Sequence, residues 1–325
     1  IDVIIRLGAI DIRLVSNVPG FPAHHYFSAI SQKPYAGETV DYELWCVSVL
    51  TSNLDLDFIR AHLDHSYRSD SFVNGYYVTD HFGPPVSLVT RERRYYIFGE
   101  ELERVVWPYF VKWFLMLHCI EHQVLHLKAA ACALGSAGTL LLGRGGAGKT
   151  VFLTHLCMHG ARFISNSHVL VKDGCMRGVA SSIRIRPGQW YEDLTRTVRT
   201  SSALKPGELI IDPYKVFDVV MDEIVSVRNI CILEFCHTNR HIIERLSEQE
   251  AYDFAEQFSL ALNVYRLEED LMDLCRTRYQ DFSRIYSQMK RQLRELIHQS
   301  HCYYVSTDIV NPANRDEVLA LLEAK

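Results

Sequence analysis

Gly143-Arg144-Gly145-Gly146-Ala147-Gly148-Lys149-Thr150 fits the pattern G-x-x-x-x-G-K-[ST] in full. Each residue type has a reason to be there. Glycines let backbone N–H groups curl around the phosphates of a nucleotide, and the lysine sets a point charge between the β- and γ-phosphates. The threonine hydroxyl is a ligand for Mg²⁺, and the helix that starts beside it brings its positive dipole end. The cofactors read from this stretch are therefore ATP, or another nucleoside triphosphate, and Mg²⁺. The nucleotide-binding residues are Gly143 through Thr150 together with Val151, the first apolar residue of the helix. Arg144 either touches a phosphate or faces solvent.

Further residues could complete such a site. Mg²⁺ calls for an acid at the end of an apolar strand; Asp212 in ELIID fits best because a turn follows, and Glu234 in ICILE and Asp173 are alternatives. Arg184 and Arg186 in SSIRIRPG alternate, so a strand would put both on one face, suited to a phosphate or carboxylate of the substrate or to a solvated edge. Lys205 could serve the same end. His118, His122 and His126 follow at i, i+4 and i+8, but a strand over VLHLK would take His126 off any shared helical face.

The elements that must position these residues follow from pattern. TLLLG (139–143) reads as a strand feeding the loop, paired through the turn GSAG with VLHLKAAACAL (124–134). Helical spacing runs from 150 until Gly160 stops it. FISNSHVLV (163–171), ELIIDP (208–213) and NICILEF (229–235) read as strands, 247–300 as helical, 301–312 as a last strand and 314–324 as a last helix. Strand, loop and helix alternate, which makes the second half α/β. Residues 1 to about 100 read as strands and turns, with strand-like runs YYVT, VSLVT and YYIFG and a helix over 55–67. ELERVVWPYFVKWFLMLHCIEH (101–122) reads as one long buried helix bent at Pro108. The expected division is a smaller, mainly β (α+β) domain over 1–118 and a nucleotide-binding α/β domain over 119–325. Asp80 and His81 lie in a polar loop that could reach an acceptor.

Composition bounds the classes. Of 325 residues, 48% are hydrophobic and 22% charged, enough for a sizeable core. The formal charge is −5 and there is no basic tail, which argues against a nucleic-acid partner. The basic run Lys290, Arg291, Arg294 is balanced by nearby acids. Nine cysteines, none in a CxxC pair, read as reduced thiols, and the expected location is cytoplasmic. No signal peptide is read at IDVIIRLGAID, and no membrane partner is expected because the most apolar run, 107–120, is too short to span a bilayer.

The stretch from HLKAAAC through GRGGAGKT, CMHGARF, ISNSHVLV, IRIRPG and ELIIDP resembles the HPr kinase/phosphorylase family, most closely its relatives that phosphorylate small hydroxyl compounds or peptide hydroxyls. The motifs cover about 90 residues, and the layout extends over 120–325. The resemblance implies a P-loop HPr kinase-like domain, ATP and Mg²⁺, a histidine on the strand before the loop, matched by His126, and an association of identical chains. It also implies that the N-terminal domain contacts substrate or subunits. The chain departs from the family where an Asp-Asp pair is usual: Asn166 and Ser167 stand there, followed by His168. His168 is the first candidate for the acceptor's base, since histidine titrates near neutral pH, or else it is a structural residue of the strand. His126 is the second, and Asn166 could orient water or offer Mg²⁺ a neutral oxygen. The expectation is a kinase moving the γ-phosphate of ATP to a hydroxyl of a small metabolite, amino acid or peptide. The alternative is a catalytically degenerate nucleotide-binding regulator or partner protein.

Overall fold

A computed structural model describes residues 1–21, 27, 30–55, 57, 86–186, 188–197, 201–202, 207–220, 224–236, 240–275 and 278–323. The helix read over 55–67 lies outside them save for Asp55 and Asp57; the YYVT strand, Asp80, His81 and Lys205 lie outside them altogether. The chain is mixed α/β with several sheets and divides into two compact units. One comprises Ile1–His118 with Arg266–Ser283, the other Cys119–Tyr265 with Arg284–Lys325.

The first unit is built on a six-stranded sheet of β1 (Asp2–Arg6), β2 (Asp11–Ser16), β3 (Ser31–Gln32), β4 (Tyr42–Ser48), β5 (Ser87–Arg91) and β6 (Arg94–Gly99), in the order β3-β1-β2-β4-β6-β5. The alternation of YELWCVS buries Tyr42, Leu44 and Cys46 on one face, as a half-covered strand requires. The helix expected over 101–122 forms, but not as one regular helix. Glu103–Val105 is α-helical, Val106–Val111 is π-helical and Lys112–His122 is α-helical again. Pro108 sits in the π-helical turn: it has no N–H to donate and its ring crowds the carbonyl one turn back, so the ladder widens there. Phe114 stacks on Tyr42 at 4.7 Å between ring centroids.

The second unit carries the phosphate loop. Its nine-stranded sheet comprises β7 (Leu125–Leu127), β8 (Ala130–Leu134), β9 (Ala137–Leu142), β10 (Arg162–Ser165), β11 (Val169–Lys172), β12 (Cys175–Gly178), β16 (Val225–Phe235), β17 (Ile242–Arg245) and β18 (His301–Thr307). The run read as one strand over 124–134 is two. β7 pairs with β11 while β8 pairs with β9, and the chain changes partner at Lys128-Ala129. FISNSHVLV is likewise two strands, β10 and β11, because Asn166–His168 turns between them. A separate three-stranded sheet holds β13 (Ile183–Ile185), β14 (Ser201–Ser202) and β15 (Leu209–Ile211).

β9, β16 and β18 run parallel, with Leu142 opposite Ile232 and Phe235 opposite Thr307. Parallel strands side by side must be covered on both faces, which is why β16 reads as a continuous apolar run. On one face lies the helix Lys149–Met158, its Phe152 and Leu156 fully buried among Leu141, Leu233, Val305 and Leu322. The long helical region after 247 is broken into Glu248–Phe258, Ala261–Val264, Glu268–Leu274 and Tyr279–His298. Ser247 starts the first of these with a reciprocal capping box to Glu250, and Arg266, at φ +55°, stops the second from continuing. No helix among the described residues is long and apolar enough to cross a membrane.

Because Phe152 seats the loop's helix on the sheet, Phe152→Ala should lower the free energy of unfolding by about 3–5 kcal/mol, read from urea titration. A change below about 1 kcal/mol would mean the helix is held by something other than this core.

Candidate nucleotide site

The loop 143–148 leaves β9 at the carboxyl ends of the three parallel strands, the edge at which open α/β sheets bind ligands. Two of its glycines are required by close approach. Gly148 has φ +84°, and a Cβ there would lie 2.2 Å from the Cβ of Phe235. A Cβ on Gly143 would lie 3.0 Å from that of Ala147 and 3.1 Å from the Leu233 carbonyl oxygen. The end of β16 thus forms the wall of the loop, and the Phe235 N–H donates to the Ala147 carbonyl at 3.0 Å.

Lys149 folds back over the loop. Its Nζ donates to the Gly143 carbonyl at 2.5 Å and to that of Arg144 at 3.0 Å. Burial, followed by the charge of Lys128, pulls its pKa down to about 8. Thr150 donates its hydroxyl to Oδ1 of Asn166 at 3.1 Å. Two residues offered from sequence as Mg²⁺ ligands, Thr150 and Asn166, are therefore brought together. Val151 is buried beneath them. Arg144 is exposed and pairs with Glu234 at 3.7 Å, and Glu234 accepts the Tyr304 hydroxyl at 2.5 Å.

Asp212 and Asp173 are not part of this arrangement. Asp212 accepts from the Tyr214 N–H at 3.1 Å and pairs with Lys215 at 2.9 Å, so its carboxylate is occupied in capping its own 3-10 turn. Asp173 and Gly174, both at positive φ, are the two residues of the β11–β12 hairpin turn. Of the acids named from sequence, Glu234 is the one the fold brings to the loop. Arg184 on β13 and Arg186 just past its end are both exposed, but they face a carboxylate of the protein itself: Glu208, at 3.8 Å from Arg184 and 3.3 Å from Arg186.

His126 and His168 also come together, away from solvent. His126 Nε2 stands 2.9 Å from His168 Nδ1, and the Tyr265 hydroxyl 3.4 Å from the same nitrogen. The three rings lie 5.2–6.0 Å apart by centroid. His126 is 3% exposed and His168 2%, so in this structure neither imidazole is open to an acceptor hydroxyl. The cause is local. The turn that follows β10 is pinned by Ser165, whose hydroxyl donates to the His168 carbonyl at 2.7 Å and that of Val179 at 3.2 Å, and β11 then enters the sheet beside β7. Among the described residues no group of three or more His, Cys, Asp or Glu side chains could hold a metal ion.

Sequence reasoning passed over Lys128 and Tyr265. Lys128 stands at the partner change between β7 and β8, with its ammonium 5.8 Å from the Tyr265 ring centroid. Burial lowers its pKa. One signal was available: it is the single charge in VLHLKAAACAL, a run otherwise fit for the interior.

If the loop's shape is set by its contact with Phe235, Gly148→Ala should weaken ATP binding by about a hundredfold in isothermal titration, since the new methyl meets backbone-anchored atoms at a left-handed φ. Binding within about threefold of wild type would show that the loop can reshape at no cost.

No family model matches the chain, and no curated protein matches it. Among solved structures it is similar to the structure of the Hpr(Ser) kinase/phosphatase from Coxiella burnetii, over 60% of this chain and 93% of that one, at 10% identity and a TM-score of 0.27. A likeness this loose says nothing about the chemistry of this chain.

Proposed function

We propose that the chain binds a nucleoside triphosphate with Mg²⁺ through Gly143–Val151 and acts as a nucleotide-binding regulator or partner protein rather than as an efficient kinase. The observation that carries this reading is a contrast. The phosphate loop is complete and held in shape, whereas His126 and His168 are closed into a buried cluster with Tyr265. Asn166 beside Thr150 is no base at neutral pH. The Thr150 hydroxyl and the Asn166 amide oxygen, 3.1 Å apart, fit as neutral ligands of a Mg²⁺ ion that keeps its waters and takes most of its charge compensation from the phosphates. Bound Mg²⁺ would offset charge on the outer phosphates.

A second reading keeps the kinase, with a small-molecule, amino-acid or peptide hydroxyl as acceptor. It is favoured by Glu234, whose half-exposed carboxylate stands at the rim of the loop. Phosphoryl transfer depends more on positioning and charge stabilisation than on a strong base. In that case Arg184 and Arg186 would bind an anionic acceptor only by giving up Glu208.

Incubation with γ-labelled ATP, Mg²⁺ and a panel of hydroxyl acceptors separates the two. The expected result is ATP bound with a Kd on the order of micromolar, no label on any acceptor, and binding at least about tenfold weaker in Lys149→Ala. Label transferred to an acceptor by wild type and not by Lys149→Ala would overturn the regulator in favour of the kinase.

A further inference from the structure

Arg144 is the only charged side chain within Gly143–Gly148, a stretch where a phosphate loop needs none. Its backbone is tied to the loop's lysine: Lys149 Nζ donates to the Arg144 carbonyl at 3.0 Å, next to its bond to Gly143. That ammonium is the group that reaches the β- and γ-phosphates of a nucleotide. The Arg144 side chain therefore starts from backbone that flanks the outer phosphates.

Glu234 holds its guanidinium. β16 runs parallel to β9 with Ile232 opposite Leu142, so Glu234 stands level with the residue two past Leu142, which is Arg144. The two charges meet at 3.7 Å through Oε1 of the carboxylate. Oε2 accepts the Tyr304 hydroxyl at 2.5 Å, which fixes the carboxylate from the neighbouring strand β18. The two holds differ in strength. The bond from Tyr304 is short and charge-assisted. The pair with Arg144 is long, and its side chains are 70% and 44% exposed, a setting in which an ion pair holds little and is screened by salt. A phosphate offers a guanidinium two parallel charge-assisted bonds in a geometry that its planar fork matches. Arg144 can thus leave Glu234 at small cost, while Glu234 stays on Tyr304.

We propose that Arg144 is a specificity-determining residue: it leaves Glu234 for the terminal phosphate of a bound nucleoside triphosphate, and by this exchange the protein distinguishes the triphosphate from the diphosphate. The inference rests on the nucleotide-binding reading above and adds what the site reads, the phosphorylation state of the nucleotide. Glu234 competes with the terminal phosphate for the same guanidinium, so it sets how strongly that phosphate is felt.

The test is isothermal titration of ATP and of ADP, each with Mg²⁺, into wild type, Arg144→Gln, Glu234→Gln and the double variant, with Lys149→Ala as the control for loop binding. Glutamine at 234 keeps an acceptor for Tyr304 without the charge. Wild type should prefer ATP by about tenfold. Arg144→Gln should lose about tenfold in ATP affinity with ADP changed by less than about twofold. Glu234→Gln should gain about threefold for ATP, and that gain should vanish in the double variant because it needs the arginine. Equal weakening of ATP and ADP in Arg144→Gln would overturn the proposal, and so would unchanged binding of both. A Glu234→Gln gain that persists without Arg144 would also overturn it, since Glu234 would then act by its own charge. In each of these cases a loss of binding in Lys149→Ala leaves the nucleotide-binding reading standing. If wild type binds neither nucleotide, that reading falls first and this one with it.

Discussion

The site depends on one contact: the backbone of Gly148 against the side chain of Phe235 at the end of β16, where there is no room for a Cβ. β16 is in register with β9 on one side and β18 on the other, so the position of Phe235 is set by the parallel core of the sheet. The loop therefore takes its shape from the most buried part of the unit. Lys149, Thr150 and the start of the helix then point outward because Phe152 and Leu156 commit the opposite face of that helix to the core. Rigid strands carry the loop, and the loop carries the charges, which is how a site keeps its geometry without a ligand to organise it.

The charges themselves are unbalanced in a consistent direction. Lys149 and Arg144 stand at the loop, and among the described residues the carboxylate paired there, Glu234, is engaged by Arg144 and Tyr304. Where an acid would polarise an acceptor or grip a metal, the chain has the neutral pair Thr150–Asn166. This composition favours holding phosphate over acting on a hydroxyl. The buried His126–His168–Tyr265 cluster belongs to the framework on this view: it fills the junction of β7 and β11 with polar rings that bond to one another, as buried polar groups must.

Much of this was legible in the sequence. The loop, the strand before it, the helix after it and the α/β alternation of the second half follow from local pattern and appear where that pattern puts them. Thr150 and Asn166 were each legible as possible Mg²⁺ ligands, but their contact was not, since it depends on the turn after β10 lying beside the helix start. What failed needed non-local information. An acid at the end of an apolar strand looks the same in Asp212 and Glu234; only the strand order, with β16 next to β9 and β15 in a separate sheet, tells which reaches the loop. His126 lies on β7 and His168 in the turn just before β11, and the two meet only because β11 pairs antiparallel with β7. Lys128 was hidden by reading 124–134 as one strand, since the switch of partners that exposes it leaves no mark in residue periodicity.

The most direct measurement is a crystal structure of the chain with a non-hydrolysable ATP analogue and Mg²⁺. The account predicts inner phosphates wrapped by the 143–148 loop, the terminal phosphate at the Lys149 ammonium, and Mg²⁺ on the Thr150 side with His126 and His168 still enclosed. A terminal phosphate faced by a His168 released from His126 would contradict the account and return the histidine to the chemistry.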